Sequence, residues 1–101
     1  MATTTSKVLA RTAASTSSAT LYTVPSLTST VVTNVLVANT AASAGTFTLN
    51  LNGIAIFSST AIAANSTAMF DIKQVLNTTQ TITGLASATS INFHISGVEI
   101  A

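Results

Sequence analysis

The sequence contains no cysteine and few charged residues. Without cysteine there is neither a disulfide framework nor a zinc site built on thiolates. Charged residues make up 5% of the chain, whereas an ordinary soluble domain has about 25%. The basic residues are Lys7, Arg11 and Lys73, and the formal net charge is +1. Three cations cannot neutralise a phosphate backbone, so we expect no nucleic-acid partner.

Long apolar runs are also missing. They stop at about four residues, as at 35–38 and 54–57, far short of the roughly 20 that a membrane-spanning helix requires. The first residues have neither the basic start nor the apolar core of a signal peptide. We therefore expect no membrane partner.

What the chain does contain is a large share of small and uncharged residues. At 101 residues it has the length of one domain. Hydrophobic residues make up 48%, the mean hydropathy is +0.62, and most polar residues are Thr, Ser or Asn. Such an exterior desolvates cheaply, and a net charge near zero gives little repulsion between copies. This favours a protein that assembles with its own copies; the alternative is a Thr-rich monomer from a secreted or salt-adapted source.

The clearest local signal is a β-hairpin over residues 45–57. Apolar and polar residues alternate up to Asn52-Gly53, a dipeptide typical of a type I′ turn because both central residues need φ > 0. The predicted cross-strand pairs are Leu51 with Ile54, Leu49 with Ile56, and Phe47 with Ser58. The apolar members of these pairs would share one face of the hairpin: Phe47, Leu49, Leu51, Ile54 and Ile56.

Further strands are predicted at 20–24, 30–39, 68–73, 79–85 and 91–100. Residues 30–39 are apolar on both faces, which favours a central strand or one whose outer face meets another subunit. In the last segment the apolar positions change parity after Ile95, which predicts a β-bulge near Ser96-Gly97. No segment has a helical period. Together, about eight short strands predict an all-β fold, a single small antiparallel β-sandwich or barrel over residues 19–101.

Residues 1–18 have no sustained period, so we expect a flexible N-terminal arm outside the core. Two alternatives follow from its composition. The segment is a disordered tail, or it docks Val8 and Leu9 on a neighbouring copy or adds a strand to that copy's sheet edge.

Few side chains are candidates for chemistry. His94 and Ser96 would project from the same face of the last strand, and Asp71 is the possible third member of a Ser-His-Asp triad. No Gly-x-Ser-x-Gly turn accompanies them. Asp71, Glu99 and His94 also lack the spacing of metal ligands. We therefore predict no catalytic residue, no metal site and no cofactor.

The remaining charged residues suggest local pairs. Asp71 and Lys73 are expected to form a surface ion pair. Glu99 lies among apolar neighbours near the C-terminus, where it is either partly buried against Lys7 or Arg11, or solvated.

Several runs, taken in their order, resemble small virion proteins of tailed bacteriophages, a group that includes capsid cement (decoration) proteins and tail- or collar-associated modules. The resemblance covers roughly residues 20–100, and the family's usual glycine after Tyr-Thr-Val-Pro is replaced here by Ser26-Leu27-Thr28. The runs that carry it are Leu21–Pro25, Thr30–Thr40, Leu49–Gly53, Ile62–Thr67, Thr81–Ser87 and Ile95–Ile100.

The resemblance implies a β-sandwich or barrel, often trimeric, that binds the outside of a viral shell and carries no catalytic residue. We therefore expect a non-enzymatic homotrimer on the capsid surface of the virion, bound to the major capsid protein or another virion structural protein. The alternative is a tail, collar or fibre module that binds a host surface glycan. In that case Tyr22, the only tyrosine, would stack on a sugar; otherwise it belongs to the core or an interface.

Overall fold

The computed structural model describes residues 3–101, which form eight β-strands. This confirms the predicted all-β class. The strands are β1 (Thr4–Ala13), β2 (Ala19–Thr23), β3 (Ser29–Asn39), β4 (Gly45–Leu51), β5 (Ile54–Ile62), β6 (Ser66–Leu76), β7 (Thr81–Ala86) and β8 (Ile91–Ile100).

The strands make two four-stranded antiparallel sheets, in the order β1-β8-β3-β6 in sheet A and β2-β7-β4-β5 in sheet B. The chain crosses from one sheet to the other at every connection except the β4–β5 hairpin. Eight strands in two facing sheets with this winding make a jelly roll. The predicted β-sandwich is therefore confirmed.

The β4–β5 turn forms at the predicted place. Asn52 and Gly53 have φ values of 51° and 79°, as a type I′ turn requires, and Leu51 pairs with Ile54. The burial differs from the prediction, because Ile54 is 72% exposed. It lies at the start of an edge strand, where sheet A does not cover it.

The predicted register of the hairpin is wrong beyond its first pair. Leu49 pairs with Phe57 and Phe47 with Thr60, one and two residues beyond the predicted partners. The reason is that β5 carries extra residues at two register shifts, and Ser59 adopts a positive φ of 45°. Each bulge moves the following side chains along the strand.

The core lies between the sheets and contains all four phenylalanines. The Phe47 ring is fully buried, with its centroid 5.4 Å from that of Phe57 and 6.2 Å from those of Phe70 and Phe93. Tilted and edge-on ring pairs at these distances stabilise beyond the area they bury. Phe57 and Phe70 are half-buried, since they lie where the two sheets open between β5 and β6.

The N-terminal segment differs from the expected flexible arm. Residues 4–13 form β1, which pairs with β8, and Leu9, Ala10 and Ala14 are buried in the core. The alternation is hidden in the sequence because the register shifts between Val8 and Ala10, so that Leu9 and Ala10 are both buried although they are adjacent. Residues 1 and 2 of the predicted arm lie outside the described residues.

The predicted bulge in β8 is also wrong. The extra residues are in its neighbours, Leu9 of β1 and Thr33 of β3, while β8 itself alternates without interruption through Gly97. Gly97 points inward, and a Cβ there would overlap the carbonyl oxygen of Val31. The glycine is therefore explained by the close approach of another backbone.

Candidate interaction surfaces

The possible triad residues do not come together. Ser96 and Asp71 are both register partners of Asn34, one on each side of β3. Because neighbouring strands lie about 4.8 Å apart, their backbones are about 10 Å apart. His94 lies in a different row, opposite Leu36. This arrangement lacks the nucleophile–base–acid contacts that a hydrolase needs.

Metal-ligating side chains are likewise dispersed. Within residues 3–101, no group of three or more His, Cys, Asp or Glu side chains lies close enough together to hold a metal ion. The same part of the chain contains no helix long and apolar enough to cross a membrane.

Glu99, near the C-terminus, belongs to a polar network between the sheets. Lys7 Nζ lies 3.3 Å from both carboxylate oxygens of Glu99. The Tyr22 hydroxyl donates to Glu99 Oε2, and its oxygen lies 2.9 Å from Thr30 Oγ1. Of the two alternatives for Glu99, the structure therefore has the one in which it meets Lys7.

The network changes the proton affinity of its members. Burial, together with the hydrogen bond to Glu99, raises the pKa of Tyr22 to about 12. The hydrogen bond from Tyr22, assisted by Lys7, lowers the pKa of Glu99. Both shifts favour a neutral phenol donating to a carboxylate. The network joins β2 of sheet B to sheet A, so its evident role is to close this side of the sandwich.

The opposite side of the sandwich, between β5 and β6, remains open and mainly apolar. A groove of about 530 Å³ there is lined by five apolar and two polar residues: Ile56, Phe57, Met69, Phe70, Ile72, Asp71 and Gln74. On the strands beside it Ile54, Met69 and Val75 are among the large apolar side chains exposed to solvent. Exposed apolar surface concentrated at one site is typical of an interaction surface.

The four edge strands share one feature. In β1, β2, β5 and β6 the register shifts against the neighbouring strand, and the extra residue is always on the edge strand. Bulges of this kind distort the unpaired N–H and C=O groups that another sheet would use. The bulges therefore hinder edge-to-edge pairing of this sandwich with another sheet.

One exposed row of side chains was only partly apparent from the sequence. Met69, Asp71, Lys73 and Val75 are all exposed at alternate positions of β6, which places them on one side of the strand, and we call this row the β6 stripe. The ion pair expected between Asp71 and Lys73 is not formed: among the described residues the salt bridge is that between Lys7 and Glu99. The alternation of residues 68–73 indicated the shared face, but not that β6 would lie at an edge.

The sequence matches no family model, and no curated protein matches it either. Solved structures of similar fold include viral capsid proteins. A chain of the IBDV T13 viral particle matches with a TM-score of 0.62 and 9% identity, over 98% of this chain and 30% of that one. This chain therefore spans less than a third of the viral chain's length.

Two further capsid proteins are more distant. The coat protein of tobacco streak virus has a TM-score of 0.49 and 13% identity, over 99% of this chain and 85% of that one. A pentameric capsid protein from metagenomic phage sequences has a TM-score of 0.39 and 12% identity, over 97% of this chain and 59% of that one. Carbohydrate-active proteins also appear, at TM-scores of 0.40 and 0.41. The match to the IBDV particle chain, at 9% identity, shows the fold alone; jelly-roll sandwiches are a fold that viral capsid proteins use.

Proposed function

We propose that this chain is a non-enzymatic structural protein of a virus particle, and that it serves as a capsid cement (decoration) protein of a tailed bacteriophage. In this role it binds the outer capsid surface as a homotrimer, with the major capsid protein or another virion structural protein as its partner. The observation that carries the proposal is a jelly-roll sandwich whose exterior is almost free of charge.

The composition of the exterior supports binding to a protein lattice. Thr, Ser and Ala side chains lose little hydration when they are covered, and a formal charge of +1 leaves copies free to crowd together. On a symmetric shell each modest contact is repeated many times. Because a bound copy stabilises only the assembled state, many weak contacts add to a large stabilisation of the shell.

The alternative of a glycan-binding tail or fibre module receives less support. A glycan site of that kind would need the Tyr22 side chain free to stack on a sugar. Instead, the Tyr22 hydroxyl is held by Glu99 and Thr30 within the sandwich. A sugar hydroxyl would have to compete with a charged acceptor for that bond.

The proposal is tested with purified capsids of the phage that encodes this chain, stripped of the protein. We expect that adding the chain back raises the temperature at which the shells disrupt, and that the chain sediments with them. An unrelated β-sandwich protein at the same concentration is the control. Failure to sediment with the capsids, together with retention on host cell-wall polysaccharide, would contradict the cement role and support the glycan alternative.

A further inference from the structure

The β6 stripe has an order of side chains that is complementary to its own reverse. Along the outer side of β6 the residues run apolar, acidic, basic, apolar: Met69, Asp71, Lys73, Val75. Met69 and Val75 are 65% and 63% exposed. If a second β6 lies antiparallel to the first, with Ile72 of each copy at the centre, Met69 faces Val75 and Asp71 faces Lys73, and each pair occurs twice.

We infer that the β6 stripe is a two-fold contact between two copies of this chain. A two-fold contact uses the same patch on both copies, so residue i meets j and j meets i. The stripe satisfies this rule at all four positions, with two opposite-charge pairs flanked by two apolar pairs. The inference rests on the self-association in the proposed function and specifies a surface for it.

Both charged residues of the stripe are available for a partner. Each is exposed, and neither belongs to the salt bridge found among residues 3–101, which joins Lys7 to Glu99. Only 5% of the chain is charged, yet an acidic and a basic residue occupy successive outer positions of this one edge strand. Charge complementarity of this kind fixes the register and the partner more than it adds affinity.

The surroundings of the stripe extend its apolar part. In sheet A, Leu36 pairs with Met69 and Val31 pairs with Val75, and both are half-buried on the same outer face. The contact is made by side chains, because β6 carries extra length between Asp71 and Gln74 against β3. That bulge disturbs the backbone groups of the edge but leaves the alternation of the outer side chains intact.

The two-fold contact is separate from a trimer. A three-fold ring joins two different patches on each copy, whereas the stripe joins a patch to itself. In solution the stripe therefore pairs single chains into dimers, or pairs trimers into hexamers. If the two-fold contact does not form, the binding to capsids that is tested above is unaffected.

The test exchanges the charges of the stripe. Asp71→Lys gives the stripe of each copy two lysines, and Lys73→Asp gives it two aspartates, so each variant alone brings like charges together at both pairs. By sedimentation at low ionic strength, we expect either change to weaken pairing by roughly tenfold or more. An equimolar mixture of the two variants restores it, because every lysine then faces an aspartate.

Two further chains serve as controls. The double variant Asp71→Lys with Lys73→Asp keeps the composition of the wild type and is expected to pair as the wild type does, even if one single variant folds poorly. Arg11→Asp makes the same charge change as Lys73→Asp on the opposite edge of sheet A, and it is expected to leave pairing unchanged.

The outcomes separate cleanly. Recovery of the paired mass in the mixture supports the contact, since a folding defect cannot be repaired by mixing. If the wild type does not pair, or if the mixture stays at the mass of the separate variants, the inference is wrong.

Discussion

Replacing Leu9 by alanine tests whether the N-terminal segment is part of the folded domain. Leu9 is 6% exposed and packs beside Gly97, whereas its neighbour Val8 is 44% exposed. If residues 4–13 were a flexible arm, both substitutions would be nearly neutral. In the structure, only Leu9 fills the core, so Leu9→Ala should destabilise the protein and Val8→Ala should not.

The size of the effect follows from the burial. Leu-to-Ala substitutions at buried sites cost about 2–5 kcal/mol. Because β1 is an edge strand that can settle into the space left behind, we expect the lower part of that range, about 2–3 kcal/mol. For a domain of this size each kcal/mol lowers Tm by about 4–8 °C, so the loss should be roughly 10–20 °C.

The assay is thermal and denaturant unfolding of Leu9→Ala, Val8→Ala and the wild type, followed by circular dichroism. Val8→Ala should stay within about 0.5 kcal/mol of the wild type, as exposed substitutions usually do. Equal stabilities of the two variants would refute the placement of Leu9 in the core and support the flexible arm.

Two further predictions concern the interior. Gly97→Ala should lower the free energy of unfolding by about 2–3 kcal/mol, since the added methyl overlaps the carbonyl oxygen of Val31. Ser96→Ala, on the outer face, is the control. Equal melting temperatures of the two variants would contradict the close approach of the Val31 backbone to Gly97. The pKa of Tyr22, raised from 10.0 to about 12, should make stability fall between about pH 10 and pH 12, because there the unfolded chain ionises this phenol while the folded chain holds it neutral. Urea unfolding across this range should show the fall in the wild type and a smaller one in Tyr22→Phe; identical pH profiles would show that the phenol is not responsible.

The sequence was most informative where local rules act alone. The Asn52-Gly53 turn was predictable because its backbone demands φ > 0 at both residues. The apolar residues on both faces of 30–39 likewise predicted the inner position of β3 in its sheet, and the alternation of 91–95 predicted the buried side of β8. These features depend on neighbours in the chain and need no knowledge of which strands pair.

The sequence was least informative where a bulge breaks the alternation. Extra residues at Leu9, at Thr33 and in β5 each change the parity of the strand, so a strict period of two fails there. Their positions are defined by the pairing with a neighbouring strand, which a single strand's sequence does not contain. For the same reason the parity change near Gly97 predicts a bulge in β8, whereas the extra residues belong to β1 and β3.

The candidate interaction surfaces could not be predicted without the order of the strands in the two sheets. Placing β5 and β6 at the open side, and β6 at an edge, follows from the jelly-roll strand order, which depends on pairings far apart in the chain. Only with that order do Met69 and Val75 become exposed apolar residues rather than core. The meeting of Lys7 with Glu99 likewise depends on the pairing of β1 with β8.

The central claim is that this chain is a component of a virus particle bound to the outside of its shell. Electron cryomicroscopy of purified particles of the proposed source, a tailed bacteriophage, tests this most directly. The account predicts density for the eight-stranded sandwich on the outer capsid surface, in groups of three. Particles whose capsid surface lacks such density, or that carry it only at the tail, would contradict the account.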